Sequence, residues 1–396
     1  MAAAFLVLVV VAAAVVYGVT SPAARTESVT AAAAGVAPPA PTVVPAGFAE
    51  AWRAPSGAAS VPVVSGPGVV TADGDTVVGR DAATGAERWS YRRDRPLCSV
   101  GEGFGQVLAL YSSADGRWCS ELSALDPDKG TRGPASNPDT GTGARLQSSG
   151  SVVLAGSPDY LETLRSDLVT TLQYGAVVAP AQPGRQPRTG CTYTSTALAA
   201  GRLGVVERCP TDQADRLTVL RPDGAGDADT PTVEFSAQLP TRGAQLLAVS
   251  VDREAVVLPG PPELQILDRQ GLQVGLIGLD VPESEVAPPA DRVPRTASDT
   301  NRVYWWSGSQ TIALDRTGLA PLWTVRGTLG PGAAYAGSWL VPVPAGIAVV
   351  DPARGTVRRT IPVDRGGYAG EIAMGVQGDV LVEQRGGEVV ALRPTQ

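Results

Sequence analysis

The chain has 396 residues, with 46 glycines, 34 prolines, 5% aromatic and 18% charged residues, a composition of many short strands and turns rather than long helices. Its formal charge of −7, with Lys129 as the only lysine and no basic block, argues against a nucleic-acid partner. It contains no histidine, which excludes Ser-His-Asp and Cys-His sites, HExxH zinc sites and His-ligated haem, while catalysis by carboxylates, Lys or Tyr stays open.

Ala2 to Val19 (AAAFLVLVVVAAAVVYGV) carries no charge. As a helix such a run spans about 27 Å, close to the ~30 Å hydrocarbon core of a bilayer. We read residues 1–20 as a transmembrane anchor; a signal peptide cut near Ser21-Pro22-Ala23 is the alternative. No Lys or Arg precedes the span and Arg25 follows it, the reverse of the positive-inside rule, so the orientation rests on the cysteines. Residues 21–47 are Ala/Pro-rich and without apolar periodicity. They read as a partly extended linker that spaces the next domain from the membrane.

From there the sequence repeats. Val69-Val70 starts a strand, Asp73-Gly74 turns it and Thr76 to Arg80 forms the next; Asp81 to Gly85 is a turn and Glu87 to Tyr91, with Trp89, a further strand. The strand-Asp-turn-Gly phrase returns at Ala124–Gly130, Ile266–Gly271, Ala313–Gly318 and Val349–Gly355. It returns more weakly at Val219–Gly224 and Val390–Pro394, and in degenerate form around Arg165-Ser166-Asp167-Leu168. The spacing of about 45 residues is that of four-stranded propeller blades, which stack radially because one blade cannot bury both its faces alone. The recurring Asp and Gly bond and bend the turns, so their role is structural. Phe48 to Arg53, with Trp52, is an orphan outer strand, and the last unit lacks one; joining them closes the ring over residues 48–396. The expected fold is therefore all-β: an eight-bladed propeller of four-stranded antiparallel blades, or seven if the degenerate third unit is not a blade.

Cys98, Cys119, Cys191 and Cys209 fall in two pairs of similar separation, each within one repeat, with no CxxC. We expect disulfides Cys98–Cys119 and Cys191–Cys209, hence an oxidising compartment; four buried free thiols are the alternative. The propeller is accordingly expected on the extracytoplasmic side.

The phrase from Gly68 to Trp89, G-V-V-T-x-D-G-x-x-V-x-x-x-D-x-x-T-G-x-x-x-W, resembles the repeat of PQQ-like (quinoprotein-type) propellers. True quinoprotein dehydrogenases carry adjacent cysteines at the quinone and a Glu/Asn/Asp calcium site. Here no cysteines are adjacent and the only asparagines are Asn137 and Asn301, so neither PQQ nor any other cofactor or metal is expected. The heavy use of Ala, Gly, Arg and Pro points to a GC-rich actinobacterial genome. The layout of span, spacer and propeller, with Arg93-Asp94-Arg95-Pro96-Leu97-Cys98 and Gln186-Pro187-Arg188-Thr189-Gly190-Cys191, resembles actinobacterial membrane-anchored propellers linked to polar growth and trehalose monomycolate export. That resemblance implies a membrane transport protein as partner, a glycolipid as ligand and a helper role in cell-envelope biogenesis without catalysis.

Candidate ligand-binding residues lie where the repeat is broken. Arg165 and Asp167 stand at the degenerate turn, and Arg185 and Arg188 on the long Pro-rich loop 179–189. Tyr304-Trp305-Trp306, Trp89 and Trp323 are read as packing between blades, and Trp118 as a loop aromatic. Asp280–Glu285 and Pro288–Pro294 form a further irregular connection. The competing readings are a carboxylate-dependent hydrolase or lyase, and a sensory ectodomain.

Overall fold

The computed structural model describes residues 24–199, 201–222 and 227–395. The expected anchor, residues 1–20, lies outside them; no helix among the described residues is long and apolar enough to cross a membrane.

Among the described residues, eight antiparallel blades of four strands each follow one another around an axis, the first extended by one further strand. With strands taken from the inside outwards, blade 1 runs from Val63–Ser65 to Glu87–Arg92, blade 2 from Leu97–Gly103 to Arg132–Ser136, blade 3 from Arg145–Ser148 to Thr170–Gly175, and blade 4 from Thr192–Ala199 to Val233–Gln238. Blade 5 runs from Gln245–Val249 to Gln273–Gly278, blade 6 from Thr296–Ser298 to Pro321–Arg326, and blade 7 from Ala333–Tyr335 to Val357–Pro362. Blade 8 takes its three inner strands from Ile372–Gln377, Val380–Arg385 and Glu388–Thr395, and its outer strand from Gly47–Pro55, paired Gly47↔Thr395 through Pro55↔Glu388. The degenerate third unit is a full blade, so the count is eight and not seven.

The turn phrase works as local chemistry predicts. In blade 1 the Asp81 carboxylate accepts the N–H groups of Ala83 (3.1 Å) and Thr84 (2.8 Å), and Gly85, at φ +74°, donates to the Asp81 carbonyl. Only a residue tolerant of positive φ closes such a turn without strain. Glycine also admits a neighbour: a Cβ on Gly85 would lie 2.6 Å from Trp52, on Gly130 2.6 Å from Trp89, and on Gly355 2.5 Å from Trp323. Each indole then donates to a carbonyl of the same turn, Trp52 to Ala82 (2.8 Å), Trp89 to Pro127 (3.0 Å) and Trp323 to Pro352 (3.0 Å). An aromatic residue of one outer strand, third in the strand for Trp89 and Trp323, thus locks onto the turn of the next blade, and Phe235 packs on Gly271 in the same way.

Apolar clusters fill each blade-to-blade seam, as between blades 1 and 2, where Val70, Val77, Trp89 and Tyr91 meet Val107, Ala109 and Tyr111. Burial of such faces is the main stabilising force. Tyr304 and Trp305 are core residues, and Tyr304 stacks on Trp339 at 3.6 Å. Trp118 is 38% exposed.

Residues 24–46 depart from the expected free spacer. Glu27–Val29 adds a fifth, antiparallel strand to the outer edge of blade 1, with Glu27 opposite Arg92 and Val29 opposite Ser90. Beyond it Ala31 N–H donates to Lys129 O (3.1 Å), Gly35 N–H to Asp128 Oδ1 (2.7 Å), and Arg359 on blade 7 to the carbonyls of Val44 and Pro45 (3.1 and 2.6 Å). Unpaired main-chain groups at a sheet edge and a ready supply of arginines capture a segment whose composition alone suggests a loose tether.

Candidate functional site

The four candidate ligand-binding residues do not converge. Arg165 and Asp167 join the third and fourth strands of blade 3, where they pair with each other at 2.8 and 3.0 Å with exposures of 58% and 52%. Leu168, at φ +60°, occupies the place of the usual glycine. The loop carrying Arg185 and Arg188 leaves the opposite end of that fourth strand, on the other face of the ring. Arg185 is exposed. Arg188 turns inward: its guanidinium donates to Glu207 Oε2 (2.7 Å), the Tyr174 hydroxyl (2.8 Å) and Thr218 Oγ1 (2.7 Å). Glu207 is 1% exposed. Burial opposes the Arg188 charge, and its hydrogen bond and attraction to Glu207 outweigh that, so its pKa is raised. Arg188 anchors a loop rather than presenting a charge to a ligand.

Both disulfides are present, Cys98–Cys119 and Cys191–Cys209. Cys191, Glu207 and Cys209 bring potential metal-ligand atoms within 4.8 Å of one another. The sulfurs are bonded to each other and Glu207 is held by Arg188, so no thiolate is available to ligate an ion.

The irregular connection between blades 5 and 6, residues 279–295, lies across one mouth of the central axis. It packs on its own side through Val281 and Val286, and Glu285 accepts from the hydroxyls of Ser307 (2.7 Å) and Ser309 (3.0 Å). Its far end reaches blade 3. Arg292, at φ +66°, donates to the carbonyls of Gly143 (2.7 Å) and Gly156 (3.3 Å), and its own carbonyl accepts the N–H of Thr196 (3.0 Å). Burial, reinforced by nearby Arg145, lowers the Arg292 pKa. Arg295 donates to Asp291 (2.9 Å) and to Glu371 beside blade 8 (3.0 Å). Burial raises the Glu371 pKa against the pull of Arg295. Below this cap Gln147 and Thr196 bond across the channel wall at 2.6 Å. Asp291, Arg292, Arg295 and Glu371 are thus engaged in holding the cap. Sequence reasoning marked 280–294 only as irregular; Arg145, Arg292, Arg295 and Glu371 carry no repeat signature.

Two shallow depressions lie on the rim near blade 5. One, of ≈ 450 Å³, is lined by Asp280, Gln310 and Arg326 among others; the second, of ≈ 260 Å³, by Arg221, Glu234 and Arg269. Glu234 accepts from Arg202 (2.7 Å), Arg221 (3.3 Å) and Arg269 (3.4 Å).

No family model matches the chain, and no curated protein matches it in sequence. Solved structures do resemble it. The computationally designed Ika8 protein superposes with a TM-score of 0.57 at 14% identity, covering 88% of this chain and 99% of its own. BamB from Moraxella catarrhalis gives 0.50 at 15% identity, covering 87% and 97%. The quinohemoprotein alcohol dehydrogenase ADHIIG from Pseudomonas putida HK5 gives 0.55 at 12% identity, covering 90% and 78%. At these identities the likeness is one of fold alone, and fold does not carry function.

Proposed function

We propose that the protein is a non-catalytic, extracytoplasmic docking scaffold of the cell envelope. The observation that carries this reading is the capped axial mouth. Asp291, Arg292, Arg295 and Glu371 are engaged with one another and with main-chain carbonyls, which leaves the rim and the loop faces for recognition. The two disulfides favour an oxidising compartment. In its specific form, drawn from the sequence resemblance, the propeller is held at a membrane by residues 1–20 and assists a transport protein that exports trehalose monomycolate.

The test is crosslinking in native membranes, followed by purification of the protein and lipid mass spectrometry of the same sample. Recovery of one membrane transport protein at fixed stoichiometry supports the scaffold. A glycolipid bound one to one without a protein partner would move the function to lipid holding. Hydrolysis or elimination of an envelope polymer, abolished by a single carboxylate substitution, would make the protein an enzyme and overturn the proposal.

A further inference from the structure

Outer strands of propeller blades expose a row of main-chain donors and acceptors, and proteins guard such edges with charge, proline or a covering segment. Seven of the eight outer strands here are guarded. Blade 1 is covered by Glu27–Val29. Blade 3 is covered where Gln173 N–H donates to Ala228 O (2.6 Å). Blades 2, 6, 7 and 8 carry both arginine and proline in the strand, and blade 4 carries Glu234.

The outer strand of blade 5, Gln273–Gly278 (QVGLIG), has no charge, no proline and, among the described residues, no strand paired on its outer side. Leu272, Val274 and Leu276 are 63%, 53% and 47% exposed. Gly275 stands third in the strand, where Trp89, Phe235 and Trp323 lock other blades to the next. The hydrogen bond from Leu279 N–H to Pro262 O (2.9 Å) sets the phase of the ladder. Ile277 and Gly275 bond inward to Leu264 and Ile266, so the N–H and C=O groups of Leu276 and Gly278 point outward. The strand also has unlike ends. Beside its start, Arg221 and Arg269, 55% and 45% exposed, share Glu234 with the buried Arg202. Just past its end stands Asp280, paired with Arg326.

We propose that this edge accepts one extended strand of a partner protein, antiparallel to Gln273–Gly278, with alternating apolar residues and an acidic residue on its C-terminal side. Main-chain bonds supply affinity and the alternate side chains supply selectivity. An antiparallel guest ends beside Arg221 and Arg269, which fixes the position of its acid. The chain already shows the geometry once, in the antiparallel strand it adds to its own blade 1. The biological sense of the site rests on the scaffold reading; its physical basis does not.

The test uses the full-length protein in detergent and a fluorescent peptide of alternating valine and threonine ending in Asp-Glu, read by anisotropy. Saturable binding is expected. Leu276→Pro removes an outward N–H that the blade itself does not use, so binding falls by about tenfold or more while circular dichroism and the melting temperature are kept. Arg269→Glu weakens the same peptide, and a peptide with Asp-Glu moved to its N-terminus binds less well than the original. If Leu276→Pro loosens the fold, the double variant Val274→Glu, Leu276→Glu replaces it, with the same loss expected. No saturable binding, or equal binding by wild type and these variants, overturns the proposal. So does a concentration-dependent dimer that Leu276→Pro abolishes, since it assigns the edge to a second copy. A transport protein crosslinked equally by wild type and Leu276→Pro removes this site and leaves the scaffold standing.

Discussion

Arg188 and Arg165 are both arginines next to a carboxylate, and their surroundings make them opposites. Arg188 is the counter-ion of a carboxylate sealed beside a disulfide, and removing one partner of a buried pair leaves an uncompensated charge. Arg188→Met is expected to lower unfolding stability by about 3 kcal/mol in a denaturant titration. Arg165→Ala, whose partner stands in water, is expected to leave the melting temperature unchanged. Glu254 gives a pH-dependent counterpart. It is wholly buried at the seam of blades 4 and 5, against Arg202. Burial pushes its carboxyl from 4.5 to about 7, and the Arg202 charge only partly offsets this. A carboxyl raised in the folded state binds its proton more tightly there than in the unfolded chain. Its stabilising share is therefore complete below 4.5 and lost as pH climbs through about 7. Glu254→Gln, which cannot ionise, should match wild type near about pH 5 and exceed it near about pH 8 by roughly 3 kcal/mol. Parallel pH curves for the two proteins would mean that the ion pair cancels the burial.

At the level of elements, each of the two disulfides joins two segments of one blade, Cys98–Cys119 in blade 2 and Cys191–Cys209 in blade 4. The Cys191–Cys209 bridge closes a separation of 18 residues, for which loop entropy gives about 3 kcal/mol. The double variant Cys191→Ala, Cys209→Ala should lose about that much in chemical denaturation; no loss would show that the Arg188 network alone holds the loop. What could be read from the sequence follows from distance along the chain. The Asp-Gly turn and the Trp that docks on it are set within about one blade length, so they recur and can be recognised. The cap over the axis depends on Arg292 meeting Gly143 across 149 positions, a contact without period. The strand Glu27–Val29 has three exposed residues and no alternation to betray it. Arg165 and Asp167 drew notice because they break the repeat, yet the break is a local exchange of glycine for Leu168 at positive φ. Irregularity in the sequence thus covers two different structures, a connection at 280–294 long enough to reach another blade and a local turn at 165–168 that is not.

For the molecule as a whole, cooperativity depends on the joint in blade 8. Trp52 binds the turn of blade 1 through Ala82 O (2.8 Å), while its own strand belongs to the last sheet. Deleting residues 24–46 removes the cover of blade 1 but spares this joint, so a single unfolding transition should persist. Extending the deletion to residue 55 also removes the fourth strand of blade 8 and the Trp52 lock, and should broaden or split that transition in calorimetry. A single sharp transition in the longer deletion would show that the ring does not depend on this strand.

That joint also sets a timetable. Gly47–Pro55 is made early and finds its partner only when Glu388–Thr395 arrives, after the seven other sheets have been synthesised. Pairings this far apart form late and slowly. Until then the early strand has no sheet to join, and the final clasp can form only once Glu388–Thr395 has been made. The ring therefore stays open until its last strand is available, and closes in one late step that joins the two ends of the described chain.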